Sequence, residues 1–227
     1  MMYRLCSLTN KNGVVPAVPL INLMSIDVRH KIGPSMEATP ADQRNVEIKA
    51  RIPGGSEDFA RRLDIAKKLT GSQTGELIVQ RDVFFESPLG GRLKLRYLQP
   101  PSRSQLVYYD RPDVAGPKLS CFNKIEVDEP AVLEKILGQT NGILGQLDKK
   151  RHLFIHEQTR IHLDEVQDLG HFMEFEVCLR PEQTLEEGQT IAEQLAKTFG
   201  ILKADLMTGS YFDALRETLD CAFYNSL

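Results

Sequence analysis

Several things are missing from this chain of 227 residues, and each absence narrows what it can be. Its four cysteines, Cys6, Cys121, Cys178 and Cys221, form no C-x-x-C pair, which argues against a zinc knuckle. Isolated thiols of this kind read as small buried residues of a reducing compartment. No apolar run approaches the ~20 residues of a bilayer span. Asn10 to Asn12 interrupt the N-terminal stretch where a signal-peptide core would lie. There is no excess of either charge: 28 Lys+Arg stand against 31 Asp+Glu, a formal net charge of -3. General affinity for nucleic acid or for anionic membranes therefore has no basis, and basic residues can matter only by local concentration. No G-x-x-x-x-G-K-[ST] occurs, so this is not a P-loop protein. Internal repeats and low-complexity tracts are also lacking. The expectation is a cytoplasmic protein with neither a nucleic-acid nor a membrane partner. Arg4, Lys11, Arg29 and Lys31, with few acids before Glu37, hint at mitochondrial targeting, but no amphipathic helix accompanies them.

Hydrophobic residues make up 41% of the chain, enough for a core. Residues 1 to 43 show no sustained period and read as a flexible leader, with Met24 and Met36 as alternative starts. The ordered domain is expected over 44–220, with a tail over 221–227. Within the domain the dominant signal is period two. In Asn45-Val46-Glu47-Ile48-Lys49-Ala50-Arg51-Ile52 polar and apolar residues alternate without a break. The pattern returns in Gly91 to Tyr97, Lys124 to Asp128, Arg160 to Asp164 and Glu174 to Val177. Further strands are expected over Glu76 to Phe85, Gln105 to Arg111 and Lys150 to Glu157, about eight in all. Helices interrupt them. One is expected from a Ser56 cap to Gly71, with a Phe59/Leu63/Ala66 stripe, and one begins at Pro130. Another follows the capping box Thr184-x-x-Glu187, and a fourth covers Ser210 to Leu219.

The helix stripes decide which way the strands face. An apolar stripe needs an apolar sheet face, and Val46/Ile48, Leu93/Leu95 and Phe175/Val177 supply it. The charged faces then point the other way. About eight strands can close into a barrel without edges, which turns those faces inward. A dry interior could not hold them, since burying an unpaired ion costs several kcal/mol. The interior is therefore expected to be a wet cavity complementary to a ligand. Lys49, Arg92, Lys94, Arg96, Arg111 and Arg151 make a polyanion site. Glu47, Glu126, Asp164, Glu174 and Glu176 suit Mg²⁺ or Mn²⁺ bridging to phosphates. The fold class is α+β: a closed eight-stranded antiparallel β-barrel with flanking helices.

Asn45-Val46-Glu47-Ile48-Lys49 resembles the E-x-E-x-K strand of the CYTH superfamily, the class IV adenylyl cyclases and thiamine triphosphatases, also called triphosphate tunnel metalloenzymes. The likeness continues in family order through Gly91 to Arg96, Tyr109 to Asp113, Gly116 to Ser120, Lys149 to Arg151, Thr159 to Asp164 and Glu174-x-Glu176. The resemblance implies a tunnel barrel in which Glu47, Glu174 and Glu176 hold metal. It implies that Lys49, Lys94, Arg96, Arg111 and Arg151 grip phosphates and that Asp164 is a metal ligand or an acid behind one. Lys118, Lys124, Glu126 and Arg160 join the same lining, with Arg92 among the phosphate-binding candidates. Glu47, Lys49 and Asp164 are the catalytic candidates. The family has Glu where this chain has Asn45, which keeps an oxygen donor but loses a charge.

Other features carry less. His152 and His156 have the spacing of a metal pair on a helix but fall in a strand. His162 sits beside Arg160 and Asp164 as a lining histidine, with a general-base role as the alternative. Tyr108, Tyr109 and Tyr211 read as packing or rim residues. Ser120 has no evident base. The expected function is metal-dependent hydrolysis of an organic or inorganic triphosphate by a monomer or homodimer. The alternatives are a class IV-type adenylyl cyclase and a polyphosphate-binding module.

Overall fold

This computed structural model describes residues 43–100 and 102–224, so the leader expected over 1–43 lies outside the described residues but for Gln43. Eight strands follow in chain order: β1 (Gln43–Arg51), β2 (Glu76–Phe85), β3 (Arg92–Leu98), β4 (Ser104–Asp110), β5 (Lys118–Val127), β6 (Ile143–His156), β7 (Thr159–Val166) and β8 (Gly170–Cys178). They close into a barrel of order β1-β5-β4-β3-β2-β6-β7-β8. Every neighbouring pair is antiparallel. All eight segments read from the alternation are present. β5 and β6 begin several residues earlier than the alternation marks, because Lys118 to Asn123 and Ile143 to Lys149 pair in register despite mixed patterning.

Helices cover part of the outside. α1 (Gly55–Thr70) and α3 (Leu185–Thr198) lie on β1, β6, β7 and β8. Phe59, Ala66, Leu195 and Phe199 pack there against Val46, Ile48, Ile161, Phe175 and Val177. Each fully buried side chain of that layer contributes roughly 1.5–3 kcal/mol. α2 (Pro130–Thr140) sets Leu133 and Leu137 against Val83, Phe85 and Leu95. The outer faces assigned to the helices are thus the ones they cover. Elsewhere Leu77, Ile125 and Ile155 remain exposed.

Helix ends follow local chemistry with one exception. Thr184 and Glu187 form the expected capping box, at 2.8 and 3.2 Å. Ser56, expected as a cap, instead lies inside α1, whose N-cap position is Gly54 with no side-chain cap. The Pro53-Gly54-Gly55 turn starts the helix two residues sooner, with Gly55 at φ +63°. Asp58 fills the first turn and pairs with Arg61 and Arg62. α4 (Tyr211–Tyr224) is entered through Ser210, whose hydroxyl accepts from Asp213 N while Asp213 accepts from Ser210 N.

α4 meets one end of the barrel. The segment before it is tied to β1 where Met207 N donates to Lys49 O at 2.9 Å. Phe212 then stacks on Phe84 at 4.5 Å between ring centres. Cys121 is exposed, against the expectation for an isolated thiol. It sits on the outward side of β5, where no helix lies. No helix among the described residues is long and apolar enough to cross a membrane.

Candidate functional site

The alternation that packs Val46 and Ile48 outward sends Asn45, Glu47 and Lys49 into the barrel, where a cavity of about 440 Å³ runs between the strands. Six cations line it from four strands. Lys49 comes from β1, Lys94 and Arg96 from β3, Lys149 and Arg151 from β6, and Arg160 from β7. Arg111, just past β4, is the seventh. Acids alternate with them: Glu47, Asp82, Glu174 and Glu176.

The charges are paired across the barrel. Lys49 Nζ donates to Glu174 Oε1 at 2.6 Å, joining strands β1 and β8. Arg151 donates to both oxygens of Asp164, at 2.7 and 2.6 Å, and to Glu174 Oε2 at 2.8 Å. Arg96 grips Asp82 at 2.8 and 2.9 Å, and Lys94 reaches the same carboxylate at 2.9 Å. Arg111 donates to Glu47 at 2.9 Å, and Arg160 Nε to Glu176 at 2.7 Å.

Electrostatics show two poles. Burial and Arg96 lower Lys94 to about 8, against the pull of Asp82. Burial and Arg151 press Lys149 well below the ordinary lysine range. The neighbouring guanidinium charges add to the effect of burial on both lysines, a setting that suits a polyanion. At the other pole acids crowd. Burial and the charge of Glu174 push Glu47 up. Burial works against Glu174 too, but Lys49 and the His162 hydrogen bond hold it well below the carboxylate range. Glu176 lies at about 2: burial opposes its charge, and His162 and Arg160 favour it.

That second pole fits a divalent cation. Ligand atoms of His162, Glu174 and Glu176 lie within 4.8 Å of one another. Glu47 is directly across from Glu176 in the β1–β8 register. Asn45 Oδ1, Gln80 Oε1 and Arg111 Nε are buried at the cavity wall with no hydrogen-bond partner among the described residues. Unmatched polar atoms of this kind belong in a cavity whose ligand completes them.

The expected lining residues fall into three groups. Glu47, Lys49, Lys94, Arg96, Arg111, Arg151, Arg160, Glu174 and Glu176 come together in the cavity. Lys124 and Glu126 reach the same cavity, with Glu126 at its open end, largely exposed and paired with Arg103 at 3.1 Å. Three others lie elsewhere. Asp164 is wholly buried behind Arg151. Lys118 Nζ donates to three backbone carbonyls, of Val114, Met207 and Thr208, at 2.8 to 3.0 Å. Arg92 lines a separate cavity of about 340 Å³, pairing with Asp113 and Asp213.

Sequence reasoning overlooked Asp82, Gln80 and Lys149. Period two carries the signal for all three: Gln80 and Asp82 share one face of β2, and Lys149 stands two residues before Arg151. His162 is in the lining as read, and so are Tyr109, Tyr211 and Ser120. Tyr108 is at the surface, near Gly90 O. His152 and His156 share a strand, which spaces them roughly 13 Å apart, too far for one metal.

A closed barrel enclosing a mixed-charge cavity with a cation pole and an acid pole defines a tunnel-type protein. The chain belongs to the CYTH domain family, whose model matches residues 43–211. No curated protein matches it. The fold is similar to the PH1012 protein of Pyrococcus horikoshii OT3, with a TM-score of 0.61 and 22% identity over 74% of this chain and 98% of that one. A conserved hypothetical protein of Pyrococcus furiosus is similar at a TM-score of 0.61 and 21% identity, covering 74% and 98%. A candidate adenylate cyclase of Vibrio parahaemolyticus is similar at a TM-score of 0.59 and 21% identity, covering 77% and 98%.

Proposed function

We propose that this protein is a divalent-metal-dependent hydrolase of triphosphates, organic or inorganic. The observation that carries the reading is the crowding of seven buried or half-buried cations around one cavity that also holds a cluster of acids. Buried cations at this density repel one another, and a chain of phosphates relieves the repulsion. Glu47, Glu174 and Glu176 are the carboxylates that would hold the metal. When bound, it supplies polarisation of a phosphoryl oxygen and neutralises charge there.

The protein's own part is positioning and charge. Asp82 and Asp164 fix the guanidinium planes of Arg96 and Arg151, so their remaining N–H groups are held ready for phosphate oxygens. Lys49 and Lys149 add point charges beside Tyr211 at the start of α4, at 4.3 and 5.2 Å from its ring centre, and Lys94 adds one near Tyr109. Enclosed by the barrel wall, these charges act at a lower effective dielectric than in bulk water and need little reorganisation as charge moves to the leaving oxygens. A water attacking in line needs no covalent nucleophile from the protein.

The test is release of phosphate from thiamine triphosphate, ATP and tripolyphosphate with Mg²⁺ or Mn²⁺, beside the Glu176→Gln variant. Turnover of at least one, lost in the variant, is the expected result. No turnover of any, with the variant indistinguishable from the parent, overturns the reading. Tight polyphosphate binding without product makes the chain a binding module instead, the outcome that Asn45 favours. A class IV-type cyclase is the second reading. The Vibrio relative bears that name, and Ile78, Leu98 and Phe122 line the open end, where a nucleoside could rest. Cyclic AMP and pyrophosphate from ATP would decide for it.

A further inference from the structure

His162 is the one nitrogen base among the acids of the cavity, and its surroundings are unusual for a structural histidine. It is buried on β7, directly opposite Glu174 of β8. Its Nδ1 stands 3.3 Å from Glu174 Oε2 and 3.8 Å from Glu176 Oε1. A histidine that merely satisfies a buried carboxylate needs one acceptor. Here the ring nitrogen is aimed between two carboxylates that Lys49, Arg151 and Arg160 already supply with donors. Ligands of one divalent ion, each at about 2.0–2.4 Å, stand roughly 3–4 Å from one another. The two distances from Nδ1 already lie in that range, and all three ligand atoms lie within 4.8 Å of one another.

A second observation points to the same place. Asn45 Oδ1 is buried, lines the cavity and has no donor among the described residues. In the β1–β8 register Glu47 faces Glu176 and Asn45 faces Cys178, so Asn45 is diagonal to Glu176 on the inward face. Its amide oxygen is left to accept from water or to face a cation. The side of the site next to Asn45 therefore has a neutral oxygen, and the opposite side has an imidazole.

We propose that His162 is a metal ligand, adding one nitrogen to the carboxylates of the site so that it takes a first-row transition ion such as Mn²⁺ or Co²⁺ in preference to Mg²⁺. Mg²⁺ favours oxygen donors and sheds its water reluctantly, whereas imidazole suits the transition ions. Replacing an acid by Asn45 removes charge that a hard ion needs, and a nitrogen ligand restores affinity only for the softer ones. The inference rests on reading the tunnel as a divalent-metal site and is independent of which reaction follows.

The direct test uses the unmodified chain loaded with Mn²⁺ and pulsed electron paramagnetic resonance. Hyperfine coupling to an imidazole nitrogen is expected, and its absence overturns the assignment. Calorimetric titration with Mn²⁺, Co²⁺ and Mg²⁺ then compares variants. His162→Gln should lower Mn²⁺ and Co²⁺ affinity by about tenfold or more, the scale of even outer ligand losses, with Mg²⁺ affinity little changed. Asn45→Glu should narrow the preference by raising Mg²⁺ affinity. Equal loss for all three ions in His162→Gln, or no loss for any, contradicts the proposal. Nitrogen coupling without phosphate release from any substrate would leave the metal assignment standing and remove the hydrolase reading alone.

Discussion

Asp164 is the residue whose assigned role depends most on where the fold puts it. It has no exposed surface, and both its oxygens serve Arg151, with Lys149 3.8 Å away. The Arg151 charge and Lys149 hold its carboxyl far below the usual range although burial opposes this. Asp164→Asn keeps the shape and one acceptor but removes the charge. Breaking a buried ion pair by removing one partner costs about 3–5 kcal/mol, and the retained acceptor returns part of it. A loss of about 3 kcal/mol is expected, or roughly 6–12 °C in Tm for a domain of this size. The loss should shrink when phosphates are present, because tripolyphosphate supplies the missing negative charge to Arg151 and Lys149. Thermal unfolding by circular dichroism, with and without saturating tripolyphosphate, reads both effects. The gap between the two proteins should close by about half on adding ligand, a recovery of the size that tight binding can provide. A loss below ~1 kcal/mol, or the same ligand-induced shift in both proteins, would refute the view that Asp164 acts by holding Arg151.

Lys118→Met should cost about 2 kcal/mol of stability by leaving three carbonyls without their donor, yet change calorimetric tripolyphosphate affinity less than twofold. Lys94 gives a pH signature. With its pKa lowered to about 8 it is neutral in the free protein above that pH, and a bound polyanion restores the charge. Polyphosphate binding should therefore take up protons between pH 8 and 10 and weaken as pH rises, seen in buffers of different ionisation heat. Folding should respond with the opposite sign, since the unfolded chain binds more protons in that window and stability rises through it. In Gly188→Ala the new Cβ would stand 2.5 Å from Leu179 Cδ2 and 2.8 Å from Val46 Cγ2. Lifting α3 off β1 in this way should cost about 1–3 kcal/mol in denaturant titration.

The strand faces were legible because a strand has only two sides and the helix stripes claimed one of them. What alternation cannot carry is position along the barrel axis. Glu126 and Glu176 look alike as alternating acids, yet one reaches the open end beside Arg103 and the other meets His162 and Arg160. Lys118 and Lys94 are likewise equivalent in pattern. The difference arises because the segment around Met207 and Thr208 crosses the end of β1 and offers Lys118 its carbonyls. Asp82 escaped notice because its segment was recognised by apolar residues, and partners such as Arg96 and Lys94 lie on another strand. His162 was read as lining, but its setting between two carboxylates depends on the β7–β8 register.

Closure of the barrel through β1 also sets the order in which the molecule can be made. β1 is the first strand and its neighbours are β5 and β8. The Lys49–Glu174 pair joins residues 125 positions apart. On a ribosome one edge of β1 can meet β5 midway, but the other must wait for β8, the last strand. Such long-range pairing places folding in the slow, millisecond-to-second class. A nascent chain stopped before β8 would hold Lys49 without its partner Glu174, and polyphosphate in the medium would hasten the final closure by neutralising the cations that the last strand's acids otherwise pair with.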